Sequence, residues 1–216
     1  MVKKEKIIKR FDALADKRQY WKDRNRYYYS DQEKYFRFLV PEKLSILELG
    51  CGTGLYTGKL KDNAYHVIAT DFSEEMIEIA KKKRGDLENV QFAKADALEL
   101  DFEEASFDTI FMANLIHIIG NAEGVIKECY RVLKRGGKII ITSFAIDEMS
   151  FFHKFSIAIR YIIAFGKPSK EAAKEKTTKK NVEAILRNNG FEIAKSEILG
   201  EKSKAIYIVG IKNKIL

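Results

Sequence analysis

Cysteine and proline are scarce: Cys51 and Cys129 are the only thiols, and Pro41 and Pro168 the only prolines, in 216 residues. Two cysteines cannot build the disulfide framework of a small secreted domain, and they fit a reducing compartment. Two prolines exclude collagen-like structure and proline-rich linkers. A hydrophobic run of membrane-spanning length is missing as well. The most apolar stretch, Phe151 to Phe165, is broken by His153, Lys154 and Arg160, and it is shorter than the ~20 residues a spanning helix needs. The opening MVKKEKIIKRFD turns charged again before an apolar segment of signal-peptide length develops. The expectation is a cytoplasmic protein.

What is present is globular: 46% of residues are apolar and 32% charged. The formal charge of +8 is unevenly spread. Residues 1–44 hold 13 Lys/Arg against 7 Asp/Glu, residues 45–166 hold 14 against 18, and residues 167–216 hold 12 against 6. Basic ends around an acidic middle suit an anionic partner such as RNA or a lipid surface, although Lys-rich solvated helix faces explain them more simply.

From Leu44 onward, short apolar runs alternate with helical patterns. Ser45–Leu49 runs into a Gly-rich loop, and Leu55–Lys61 reads as a helix. His66–Thr70 is a strand closed by Asp71. Ser73 then caps a helix with Glu74 and Glu75 in its first turn, where the helix dipole favours acids. Val90–Ala95 alternates and ends at Asp96. Phe107–Ala113 is a strand, Ala122–Leu133 a helix, Arg135–Gly137 a turn and Lys138–Phe144 a β-branched strand. Strands alternating with helices imply right-handed crossovers and a parallel sheet. Phe191–Leu199 and Ala205–Ile211, joined by a short polar loop, predict a closing hairpin and hence an antiparallel strand. The organisation expected is a single domain over 1–216, with a helical cap (1–43), a core (44–144), an inserted helical segment (145–176) and a last helix with closing hairpin (177–216).

The loop Glu48-Leu-Gly-Cys-Gly-Thr-Gly54 sits between strand and helix, where glycine lets a ligand approach the main chain without meeting a Cβ. A dinucleotide fingerprint would need glycine at Leu55, and a P-loop would need Gly-Lys-Ser/Thr; neither is present. Asp71 closes the next strand about twenty residues on, where a carboxylate can accept both hydroxyls of a ribose. Asp96 closes the third strand, on the same edge. Each aspartate alone is an ordinary turn or cap residue, but together with the loop they mark three successive strand ends.

With these residues the chain resembles the class I S-adenosylmethionine-dependent methyltransferases over roughly residues 44–144. Glu48–Gly54 is similar to the family's first motif, Thr70-Asp71-Phe72-Ser73 to its ribose-binding motif, and Lys94-Ala95-Asp96-Ala97 to its adenine-side motif. Phe107–Ile110 through Asn114-Leu-Ile-His117 resembles the fourth-strand motif, and Arg131–Lys138 the turn before the fifth strand. Where the family usually has proline, Arg135 stands.

The resemblance implies a three-layer αβα doubly wound sheet of seven strands in order 3-2-1-4-5-7-6, the last antiparallel. It implies S-adenosylmethionine as cofactor and S-adenosylhomocysteine as product. Glu48, Gly50, Cys51, Gly52, Gly54, Asp71, Phe72, Met76, Asp96, Ala97 and Asn114 would line the cofactor site. Phe72 and Met76 would pack on the adenine, with a core role as the alternative. His117 is the base candidate, or else a histidine shaping the pocket. Neither cysteine has metal-ligand spacing, and no metal is expected.

For the acceptor, the Asn/Asp-Pro-Pro-aromatic motif of base amino-group methylation is replaced by Asn114-Leu-Ile-His117, and Cys129 falls on an apolar helix face. Nucleic acid is therefore disfavoured. The expected function is methylation of a small molecule, apolar or aromatic. The alternatives are a cofactor-binding protein without turnover and a methyltransferase of RNA or lipid. Tyr20, Trp21, Tyr27, Tyr28 and Tyr29 would line the acceptor site, contact the cofactor's amino-acid end or pack on the sheet. The 151–165 segment would meet a lipid or membrane surface, with a buried core helix as the simpler explanation.

Overall fold

The computed structural model describes residues 25–36, 44–165, 177–200 and 204–213. Tyr20 and Trp21 of the expected cap, and residues 166–176 of the inserted segment, lie outside the described residues. The elements in chain order are α1 (Arg26–Phe36), β1 (Leu44–Leu49), α2 (Thr57–Leu60), β2 (Ala64–Asp71), α3 (Glu74–Arg84), β3 (Val90–Lys94), β4 (Phe107–Ala113), α4 (Ala122–Val132), β5 (Leu133–Phe144), α5 (Phe151–Phe165), α6 (Lys179–Asn188), β6 (Phe191–Leu199) and β7 (Ala205–Lys212).

Seven strands form one sheet in the order 3-2-1-4-5-7-6. β7 runs antiparallel to both β5 and β6, and the remaining pairs are parallel. The period of two in each strand sorts side chains onto two cores. Leu47, Leu49, Ile110, Met112, Ile139, Ile141, Ile206 and Ile208 meet α4 and α6 through Val125, Ile126, Cys129, Val182 and Leu186. Their sequence neighbours Ile46, Phe111, Ile140 and Tyr207 turn the other way, onto Ile77 of α3 and Tyr56 and Leu60 at α2. With both faces covered, these strands read as near-continuous apolar runs. The expected doubly wound sheet and its strand order are observed.

Three local readings differ. α2 is confined to Thr57–Leu60, because Thr53 to Tyr56 form turns after the glycine loop, and a 3-10 turn at Lys61–Asn63 completes the crossover. Arg135–Gly137 is not a turn between elements but an irregular stretch within β5. Phe107 pairs with Leu133 and Thr109 with Lys138, so β5 advances five residues where β4 advances two. Gly136 takes φ of 74° there. Lys212 fastens this stretch by donating Nζ to the carbonyls of Tyr130 (2.6 Å) and Leu133 (2.8 Å).

The third difference is α5, which is not a buried core helix. Only its inner side is packed: Ile157 and Tyr161 join Tyr28, Phe144 and Met149 in a third, smaller cluster, while Phe151, Phe152 and Phe155 are exposed. Because α5 follows β5 after only a 3-10 turn at Ile146–Glu148 and Arg160 reaches Asn25 (3.3 Å), α1 and α5 meet over the carboxyl ends of β4 and β5.

Candidate active site

The carboxyl ends of four neighbouring strands, β3, β2, β1 and β4, carry Asp96, Asp71, the glycine loop and Asn114 in that spatial order. At ~4.8 Å between strands the row is roughly 14 Å long. Backbone bonds lock its members together: Cys51 N donates to Thr70 O (2.8 Å), and Ala95 N to Asp71 O (3.0 Å).

Gly50, Gly52 and Gly54 have φ of 70°, 55° and 74°, the left-handed region that side chains resist. At Gly50 a Cβ would also stand 2.9 Å from Leu115 Cδ1. The side chain of Cys51 is buried in the core below, so this residue can offer a ligand its backbone and not its thiol. Asp71 spans the loop and the following turn: Oδ2 accepts from Gly52 N (2.8 Å) and Oδ1 from Ser73 N (3.0 Å). An ionised carboxylate has about four acceptor positions, so capacity remains on both oxygens for hydroxyl donors. Asp96 Oδ1 accepts from Leu98 N (3.0 Å), folding the next turn. Phe72 and Ala97 are half-buried beside these aspartates, and Met76 is fully buried.

Glu48 lies beneath the loop. Its carboxyl is buried and accepts from Thr57 Oγ1 (2.5 Å). Burial, aided by the nearby Asp71 charge and opposed by the Thr57 bond, pushes it up to about 8, so it is mainly protonated at neutral pH.

On the β4 side, Asn114 adopts φ of 55° and accepts from the Tyr28 hydroxyl through Oδ1 (2.5 Å). Tyr28 is fully buried and stacks on Phe144 with ring centroids 3.7 Å apart. Gln32 of the same helix donates to Thr142 Oγ1 and accepts from the Tyr56 hydroxyl. α1 is thus bonded to the loop after β1 and to the ends of β4 and β5. His117 is half-buried, its Nδ1 3.0 Å from Ser143 Oγ. Desolvation lowers its imidazole to about 4, which keeps it neutral at pH 7.

Sequence reasoning did not single out Gln32, Tyr56, Thr142 or Ser143. These are polar groups buried by tertiary contact, and nothing local in the sequence distinguishes them from ordinary strand and helix residues. Among the described residues no group of three His, Cys, Asp or Glu could hold a metal ion.

A loop of left-handed glycines flanked by carboxylates on adjacent strand ends fits a ligand with a diol and an amino-acid end. Comparison with known proteins agrees. Residues 47–141 match the profile of a family described as a methyltransferase domain. Over this stretch the chain is similar to the class I S-adenosylmethionine-dependent methyltransferases. Among its relatives in the family is a demethylmenaquinone methyltransferase of Lactococcus lactis, 32% identical over 165 residues, covering 68% of this chain and 66% of that protein. Another, of Clavibacter sepedonicus, is 38% identical over 101 residues, covering 46% of this chain and 41% of its own. The chain therefore spans less than two thirds of the length of these curated relatives. Solved methyltransferases share the fold: one from Thermotoga maritima has a TM-score of 0.74 at 24% identity, covering 96% of this chain and all of that one at 100%. One from Aquifex aeolicus has a TM-score of 0.66 at 21% identity, covering 84% and 89%. S-adenosylmethionine is the cofactor of this methyltransferase family.

Proposed function

We propose that this chain transfers a methyl group from S-adenosylmethionine to a small apolar or aromatic acceptor by in-line displacement. The observation that carries the reading is the uninterrupted row Asp96, Asp71, glycine loop and Asn114 on four neighbouring strand ends, roofed on the β4–β5 side by Tyr28 and Phe144. In it, the Gly50–Gly54 backbone faces the cofactor's amino-acid end, with Glu48 supporting the loop from below. Asp71 accepts from the ribose hydroxyls, Asp96 with Ala97 borders the adenine, and Phe72 covers the ring. Asn114 stands where cofactor and acceptor meet.

When bound, the cofactor supplies a methyl carbon activated by a sulfonium. The residues around it align the acceptor and exclude water, an effect worth up to ~7–11 kcal/mol when geometry is good. Tyr28 and Gln32 hold α1 across the site's end and supply that exclusion. His117 is a weak base at a pKa of about 4. With Nδ1 against Ser143, it suits holding an acceptor group through Nε2 better than removing a proton.

The name of the relatives makes demethylmenaquinone the first acceptor to test. Isotopic methyl transfer from the cofactor should label a product that partitions into organic solvent. Label found only in water-soluble products would overturn the apolar acceptor. Cofactor binding without a labelled product from demethylmenaquinone, metabolite and lipid extracts would favour a binding protein without turnover.

A further inference from the structure

The helix α5 is apolar on two opposite sides. Its inner side supplies Ile157 and Tyr161 to the cluster around Tyr28. The outer side shows Phe151 (76% exposed), Phe152 (83%), Phe155 (60%), Ile159 (41%), Ile162 (47%) and Ile163 (60%) to solvent. At about 100° per residue these six fall within one arc of about 120°, and Lys154 and Arg160 stand about 60° outside its two edges. Ile157 lies about 180° from the arc's centre by the same turn. A continuous stripe of large apolar side chains ~18 Å long is not an ordinary solvent face.

Charge selects the occupant. No acidic residue occurs between Glu148 and Glu171, and residues 166–180, next after the helix, hold six lysines against two glutamates. Bulky apolar residues bordered by cations, and followed in the sequence by a basic stretch, are complementary to a surface that is anionic outside and hydrocarbon beneath. A second copy of the same face would match apolar to apolar but would set like charges against each other. We infer that the outward face of α5 docks onto an anionic phospholipid surface, with Phe151, Phe152 and Phe155 entering the acyl boundary and the flanking Lys154 and Arg160 on the headgroup side. Among the described residues no helix is long and apolar enough to cross a membrane, and docking needs none.

The docking is independent of the acceptor, since vesicles can be offered without cofactor or acceptor. The test is co-sedimentation of the full chain with vesicles of phosphatidylcholine alone and of phosphatidylcholine with about 30% phosphatidylglycerol, for wild type and Phe152→Ser/Phe155→Ser. The expected result is binding to the anionic vesicles that falls at least ~10-fold in the variant and weakens with salt. Both side chains are exposed, so the variant should keep the wild-type circular dichroism and cofactor affinity. No binding by the wild type, equal binding by the variant, or equal binding to both vesicle types would overturn the proposal. So would concentration-dependent self-association that the same substitutions abolish, which would assign the face to a second copy of the chain.

Discussion

Replacing Glu48 with glutamine should make the fold more stable at neutral pH, and by an amount that grows with pH. The carboxyl is 1% exposed and accepts one hydrogen bond, from Thr57, while burial raises it from 4.5 to about 8. In the unfolded chain it ionises near 4.5. Between these values folding must keep a proton that the unfolded state releases, so wild-type stability falls as pH rises from about 4.5 to about 8. The slope is at most ~1.4 kcal/mol per pH unit, which gives about 3 kcal/mol lost by pH 7 and about 5 once the folded state also ionises. Glutamine has the same shape, accepts the Thr57 hydrogen bond through its carbonyl and carries no titrating proton. Urea denaturation of both proteins at intervals from pH 4.5 to 9 gives the comparison. The two should be close in stability at the acid end, and the variant should pull ahead through neutrality and level off above pH 8. Parallel pH profiles would refute the reasoning, because they would mean that Glu48 is solvated or already ionised in the fold.

The remaining expectations concern the loop and its neighbours. Asp71→Ala should weaken S-adenosylmethionine binding by ~1.5–3 kcal/mol in calorimetry, the scale of a lost charged hydrogen bond; unchanged affinity would remove Asp71 from the site. The same variant should unfold at lower urea, since Gly52 N and Ser73 N lose their acceptor. Gly50→Ala should cost ~1–2 kcal/mol for its left-handed backbone and more for the contact with Leu115, read as a lowered urea midpoint with weakened cofactor binding. His117→Gln should reduce acid sensitivity. The wild-type ring, lowered to about 4, loses stability as pH falls from 6.5 towards that value, and the variant lacks this contribution. Identical acid profiles would show that the ring is solvated.

The strands and the residues at their carboxyl ends were legible because their signals are local, whereas the strand order followed from the family resemblance. Asp71 and Asp96 each follow a short strand-like run, and the near-continuous apolar runs in β4, β5 and β7 identify strands covered on both faces. Other features were hidden in proportion to sequence distance. Tyr28 and Asn114 are 86 positions apart, and Gln32 and Thr142 are 110 apart. Their residue types are unremarkable until the fold brings them together. The start of β5 was misread for a different reason: Arg-Gly-Gly has turn composition, but Lys212 and a register shift absorb it within the strand. In α5 the two apolar faces blend into one hydrophobic run, and composition cannot say that only one of them is covered.

Asp71 has a consequence for how fast and how firmly a ligand is held. Both of its oxygens are engaged with main-chain N–H groups before anything binds, which fixes the carboxylate and two backbone turns relative to one another. Immobilising a loop residue costs ~1–2 kcal/mol, and here that cost falls within folding rather than within recognition. If Asp71 holds the ribose as proposed, an incoming diol meets a receptor already at rest. Its capture is then governed by diffusion and desolvation, and the length of its stay by the bonds it makes rather than by loop closure.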